Sequence, residues 1–494
     1  MKHLLALNQF FWKYRLRFFL GLVFIILTNY FRILSPQLTG YVVNTVVHAL
    51  DTKSSLQSIA PADKGYNFAV VEIIHWLNKK LPAERIGWAA LILLGLALLS
   101  GFFMFLMRQS IIVMSRLIEF SQKNQVFNHY QKLDLNFYKS HATGDLMNRI
   151  SEDISRVRMF TGPAIMYFIN LAAILGFSIY FMVQTSPKLT IIALCPLPIL
   201  VIVIYLVNTI INKKSEQIQS LLSDLTTNAQ ESYSGIRIIK SYVQEKAMLG
   251  FFTKNSEDYK KHALSLAKTE AIYFPSMALM IGISTLLTIM VGAWDVLHDP
   301  VNHQVGTIAE FVMYIQMLTF PVSAIGWTAS MTQRAAASQK RINEFLDTKP
   351  SIENIPNAIQ KPIDGNIEFK QVNFTYPHSG IKGINDFSLN IKKGEKVAIV
   401  GRTGSGKSTL AQLILRMYDN DTGDILIDQV PVNQYQLAHL RSSIAYVPQD
   451  VFLISETVAH NISFGKDDAT QADIVAAAQK AAIHQEIEGF ANGY

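Results

Sequence analysis

Charge is scarce in this 494-residue chain: Asp, Glu, Lys and Arg make up 16% of it, against 50% apolar residues and a mean hydropathy of +0.22. Soluble domains carry about 25% charged residues, so the chain is too apolar to be an ordinary soluble enzyme. Cysteine is rarer still. The one thiol, Cys195, cannot close an internal disulfide, and between Leu194 and Pro196 in an apolar run it reads as a lipid- or helix-packed side chain rather than a reactive one. Repeats at solenoid periods and low-complexity tracts are absent. So is a basic arm: the net charge of +7 is spread along the chain, which argues against a nucleic acid partner.

The missing charge is concentrated before residue 335. Runs 89–107, 160–187, 189–211 and 271–294 contain no Asp, Glu, Lys or Arg, and a helix needs about 20 apolar residues to cross the hydrocarbon core. A long first helix containing Arg32 and a last one containing Pro321 complete six expected spans, at approximately 18–50, 87–107, 160–183, 187–211, 271–294 and 311–333. Arg32 lies about 21 Å along the first helix at 1.5 Å per residue, where a charge is costly. It either snorkels towards an interface or faces a cavity and meets an anionic substrate or headgroup. Residues 1–17 precede the spans; Phe10, Phe11, Trp12 and Tyr14 beside Lys13, Arg15 and Arg17 suit an elbow helix lying at the membrane interface. With no small-residue cleavage site after it, this start reads as leading into a span.

Orientation follows from the loops. Residues 108–158 hold eight Lys or Arg and residues 212–270 hold nine, whereas 295–309 hold none. Positive loops stay on the cytoplasmic side, so both termini are expected inside and the 51–86 loop outside, although that loop mixes Lys53, Lys64, Lys79, Lys80 and Arg85 with Asp51, Asp63, Glu72 and Glu84. The two positive segments have helical spacing and few breakers, which makes them stalks reaching some tens of ångströms from the membrane. The first turns at Asn136-Phe-Tyr-Lys-Ser-His-Ala-Thr-Gly144-Asp145-Leu146, the second at Gly235-Ile-Arg237. Aromatic and glycine residues at such tips, Phe137 and Tyr138 above all, suit docking into a groove on another domain.

After about residue 340 the composition becomes that of a soluble α/β domain. Its most specific feature is Gly401-Arg-Thr-Gly-Ser-Gly-Lys407-Ser408. Glycines at 401, 404 and 406 let backbone N–H groups around Thr403 and Ser405 point inward, with no Cβ to block phosphate oxygens. Lys407 suits the β- and γ-phosphates, and the Ser408 hydroxyl suits Mg²⁺. Residues 395–400 read as a short buried strand before this loop. Thr409 to Leu415 reads as the helix whose positive N-terminus faces the phosphates. The expected ligand is therefore ATP with Mg²⁺.

Spans, stalks and phosphate loop together resemble a half-transporter of the ATP-binding-cassette (ABC) exporter family, over nearly the whole chain. The resemblance implies an all-α six-helix transmembrane domain at 18–338 with long cytoplasmic helical extensions, a linker at 339–365 and a partial α/β nucleotide-binding domain at 366–494. It makes Gly144, Asp145, Gly235 and Arg237 parts of the coupling regions, together with Phe137 and Tyr138. Tyr376, in Phe374-Thr-Tyr-Pro377, becomes the adenine platform, and Gln449, in Tyr446-Val-Pro-Gln-Asp450, a contact to Mg²⁺ or the attacking water. Gln429 departs from the glycine usual in the family. The implied partners are a second half-transporter, identical or not, membrane lipid, and a hydrophobic or amphipathic small molecule, lipid or peptide. The implied location is an inner or plasma membrane with the nucleotide-binding domain in the cytoplasm.

That family carries its signature motif, second Mg²⁺-supporting Asp and water-polarising Glu beyond the point that Tyr494 matches, so the sequence also reads as C-terminally truncated. Two functions are thus expected: an ATP-driven exporter of hydrophobic or amphipathic compounds, or a nucleotide-binding membrane subunit without turnover. A nucleotide-gated channel on the same scaffold is a third reading.

Overall fold

A computed structural model describes residues 2–50, 65–299, 303–449, 451–466 and 468–494. Asp51, Lys53, Asp63 and Lys64 of the first loop, and Asp450 after Gln449, lie outside the described residues. The chain forms two compact units: one contains the residues up to Leu133 together with His141–Lys349, the other Asp134–Ser140 together with Pro350–Tyr494.

The first unit is helical. Six of its helical stretches are long and apolar enough to cross a membrane, as they must be if every backbone N–H and C=O in lipid is to find a partner within its own segment. The first is α1 (Arg15–Leu50); the shorter α2 (Phe68–Asn78), which is not one of the six, and then α3 (Pro82–Tyr130) follow. Next come α4 (Leu135–Ser140) of the second unit, then α5 (Ile165–Thr185), α6 (Pro196–Ser234), α7 (Glu245–His298) and α8 (Val305–Leu346). At 1.5 Å per residue the 49 residues of α3 reach about 70 Å, far more than a bilayer needs, so its C-terminal part is the first stalk. Before α1, a 3₁₀ turn (Lys2–Leu7) and a short helix (Asn8–Lys13) bury Leu7 and Phe10 while Trp12 stays exposed.

Helix α2 corrects the expectation of a plain loop at 51–86. Asn67 caps it by accepting from Ala69 N at 2.8 Å. Its Val70, Ile74 and Leu77 join Ile33, Leu34 and Leu38 of α1 and Phe311 and Tyr314 of α8 in one buried cluster. At that end of α8 the fully buried Glu310 accepts a hydrogen bond from Tyr314 Oη at 2.8 Å. Further along, the buried Asp153 pairs with Arg341 of α8.

The second unit has a four-stranded antiparallel sheet in the order β2-β1-β3-β4, with β1 at Ile367–Thr375, β2 at Lys382–Ile391, β3 at Thr422–Ile427 and β4 at Val430–Pro431. Alternate residues Phe369, Ile425 and Ile427 turn inward with Phe374, Leu410, Leu413 and Tyr435 to form its core. Asp428 and Gln429 both take left-handed backbone angles, φ +49° and +67°, in the turn between β3 and β4. Glycine suits such a turn best, and Asp428 offsets the strain by accepting from the backbone N–H groups of Asp364 and Asn366. Those bonds outweigh the opposing effect of burial and hold its carboxyl below the ordinary range.

Residues 395–400 are not the buried strand expected. They pair with no strand among the described residues and Val400 is 94% exposed. A short apolar run becomes a strand only when neighbours on its edges accept its hydrogen bonds; β2 ends at Ile391 and pairs with β1 alone.

Candidate functional site

The chain between residues 400 and 410 wraps around a helix start. Gly404 and Gly406 take φ of +80° and +87°, angles that side-chain-bearing residues avoid. A Cβ on Gly406 would fall 2.3 Å from the Gly383 carbonyl oxygen, so the loop also relies on glycine to lie against β2. The eight-residue α9 (Lys407–Ile414) begins at that point and directs its partial positive charge out of the loop. Thr409, Leu410 and Leu413 are its buried side and fasten it to the sheet core. Lys407 Nζ folds back to donate to the carbonyl oxygens of Gly401 and Arg402, each at 2.9 Å. Its ammonium is thereby held across the mouth of the loop.

Over this loop lies a cavity of about 680 Å³. Thr403, Gly404, Ser405, Gly406, Lys407, Ser408 and Thr409 line one side, and Tyr376 and Gln449 line it as well. The structure thus brings together the phosphate loop, the aromatic side chain and the glutamine that the sequence singled out far apart. Gly401 stands outside the lining and acts through its carbonyl on Lys407. The Tyr376 hydroxyl is fixed 2.7 Å from Thr409 Oγ1, and its ring meets those of Phe374 and Tyr418 edge-on at 4.9 and 5.5 Å. The ring is thus held in place on the cavity wall, and a positioned aromatic ring is what stacking on a planar base requires.

Charge in the cavity is of one sign. Lys382, Lys407 and Lys139 line it, with the His378 ring beside them, and no Asp or Glu does, among the described residues. Such a site attracts a polyanion. Ser408 and Gln449 supply neutral side-chain oxygens, a donor set that fits Mg²⁺, which takes few protein oxygens and keeps water and phosphate oxygens. Lys139, His378, Lys382 and Gln412 were not anticipated as lining residues. Lys139 alone had a sequence signal, because it adjoins Phe137 and Tyr138 in the first tip.

That tip is divided between the units. Asp134–Ser140 belongs to the second, where Leu135 packs on the sheet core and Phe137 is buried. Asp134 accepts from the Ser351 N–H at 2.7 Å and from the Ser351 hydroxyl. Burial works against its charged form, but the bonds from Ser351, Phe137 and Asn136 prevail and hold the carboxyl below its ordinary value. Tyr138 packs edge-on against Phe137. Gly144 and Asp145 belong to the helical unit, where Asp145 pairs with Arg149 at 2.6 Å. The second tip lies there too. Gly235 joins α6 to a short helix (Ile236–Ser241) that carries Arg237 on its exposed surface. Arg32 is exposed on α1 and makes no ion pair among the described residues.

Two family models match the chain. The ABC transporter transmembrane region matches residues 18–322, and the ABC transporter family matches residues 384–492. The probable multidrug resistance ABC transporter ATP-binding/permease protein YheI of Bacillus subtilis (strain 168) is 32% identical over 386 residues, which are 77% of this chain and 65% of that protein. The multidrug resistance-like ATP-binding protein MdlA of Escherichia coli (strain K12) is 32% identical over 72% of this chain and 60% of its own length. The ATP-dependent lipid A-core flippase of Pseudomonas syringae pv. syringae (strain B728a) is 31% identical over 75% of this chain and 61% of its own length. The chain spans less than two thirds of each of these relatives.

Proposed function

The chain belongs to the ABC transporter family, as a multi-pass membrane protein with a nucleotide-binding domain, and from that premise we propose that it is the ATP-binding half of an exporter. In this reading ATP, with Mg²⁺, occupies the cavity over residues 403–409. Adenine stacks on Tyr376, the β- and γ-phosphates take Lys407 and the N–H groups at the start of α9, and Mg²⁺ takes Ser408 and Gln449. When bound, Mg²⁺ supplies charge neutralisation between the phosphates. Lys407 leaves the carbonyls of Gly401 and Arg402 for the phosphates, exchanging two neutral acceptors for charged ones. The observation that carries the reading is the convergence of Tyr376, the glycine loop and Gln449 on one cavity where three lysines and no acidic side chain line the wall among the described residues.

Hydrolysis would be coupled to movement of a hydrophobic or amphipathic compound, a drug-like molecule or a lipid, across an inner or plasma membrane with the nucleotide-binding domain on the cytoplasmic side. The names of the relatives, multidrug resistance proteins and a lipid flippase, support that substrate class. A second half-transporter, identical or not, would complete the machine, with the exposed tip around Gly235 and Arg237 as its docking element. The test is turnover by the purified chain in lipid nanodiscs. Sustained Mg²⁺-ATP hydrolysis that Lys407→Ala abolishes would support the exporter and sink the subunit without turnover; ATP binding with no turnover would favour that nucleotide-binding subunit.

A further inference from the structure

Among the described residues, Lys139 is the one residue lining the cavity that lies outside positions 376–449 of the sequence. It sits on α4, one position from the end of that helix, in a segment that interrupts the membrane-spanning part of the sequence yet belongs to the second unit. Its position is fixed by what surrounds it on the same segment. Leu135 is packed on the sheet core, Phe137 is buried, and Asp134 is tied to Ser351 through N–H and hydroxyl. A lysine on such an anchored turn reaches into the cavity at little further cost in backbone order. Its ammonium has no carboxylate partner among the described residues, although Asp145 and Arg149 nearby in sequence pair with each other.

The rest of the lining shows what this ammonium faces. Lys382 and Lys407 are the other lysines of the cavity, and no acidic side chain lines it among the described residues. Three lysines lining one cavity, with no acidic lining residue among the described residues, make its potential positive, and a positive cavity favours entry of a polyanion. Lys407 is already spoken for by the loop carbonyls. Lys139 is the cation that lies on the opposite source of chain, so an anion held by both would bridge α4 to the phosphate loop.

We propose that Lys139 contacts the phosphates of the bound nucleotide, so that a nucleoside triphosphate ties α4 directly to α9 and its loop. The inference rests on reading the cavity as a nucleotide site and adds a contact from the helical extension to it. Sensing of occupancy by the tip would then begin at the ligand itself, ahead of any rearrangement of Gln449.

The full-length chain in nanodiscs tests it by competition of ATP and of adenosine against a fluorescent ATP analogue. Lys139→Met should weaken ATP about five- to tenfold, the range for one partly solvated charge-assisted contact, and leave adenosine within about twofold. Lys139→Arg should restore ATP affinity. A merely structural role would move both ligands together, because adenosine needs the same fold around Tyr376. Lys407→Ala, measured alongside, separates the two readings. If Lys407→Ala loses ATP affinity and Lys139→Met does not, Lys139 makes no phosphate contact and the inference is wrong while the site stands. If neither variant changes ATP binding, the nucleotide reading of the cavity fails and takes the inference with it.

Discussion

The tip at 134–140 and the tip around 235–242 use the same kinds of residue, aromatic and branched apolar side chains at a joint between helices, but only the first is covered by its own chain. Phe137 is 7% exposed and Leu135 packs on a sheet core. At the second tip Tyr242 is 72% exposed, with Ile238 and Val243 exposed beside it. Val243 also takes a left-handed φ of +50° there, which a β-branched residue adopts only when its surroundings enforce it. Buried apolar area contributes roughly 25 cal/mol per Å², so the first tip stabilises the unit it joins. The second leaves its apolar side chains exposed, and clustered exposed apolar side chains are where interaction sites are found.

Breaking the covered tip should have the largest effect. Phe137→Ala removes a buried aromatic ring and is expected to lower stability by about 3–5 kcal/mol, seen as a lower thermal midpoint and faster proteolysis between residues 130 and 142. An unchanged midpoint would mean that Phe137 is not held as described, and the contrast between the tips would collapse. Asp134 should come next, through pH. Because hydrogen bonds hold its folded pKa below the unfolded value, the stability it adds is present above the unfolded pKa and is lost as pH falls through the folded one. Proteolysis of the 134–140 segment should therefore rise on acidification, and Asp134→Asn should flatten that pH response; an equally steep response in the variant would assign it to other carboxylates. The smallest effect on stability belongs to the open tip. Tyr242→Ala should stay within about 0.5 kcal/mol of the parent yet reduce ATPase coupling in the assembled transporter. A large drop in the thermal midpoint would show that Tyr242 is covered after all.

Much of this was legible because periodicity and absence of charge are local properties. Four of the six long apolar helices follow from charge-free runs and the other two from apolar stretches at either end, and the phosphate loop follows from glycines at two positions that need left-handed angles, Gly404 and Gly406. What escaped depends on neighbours distant in sequence. Residues 395–400 have the composition of a strand, but a strand exists only with a pairing edge, which local composition does not reveal. Helix α2 was missed because 51–86 was read only as a loop of mixed charge between spans, although Val70, Ile74 and Leu77 recur at helical spacing and are buried. Glu310 lies one residue ahead of the charge-free run that marked the last span. The structure places it within α8, buried and bonded to Tyr314. Lys139 was legible as part of a tip and illegible as part of a cavity, since only the fold brings α4 beside Tyr376 and α9.

The most direct measurement of the central claim is equilibrium binding of ATP to the full chain in nanodiscs, for the parent and for Lys407→Ala. Removing the ammonium that spans the glycine loop should weaken ATP by at least about tenfold, the loss of a strong charge-assisted contact to phosphate. Equal affinity in the two proteins would contradict the assignment of the cavity over residues 403–409 as the nucleotide site.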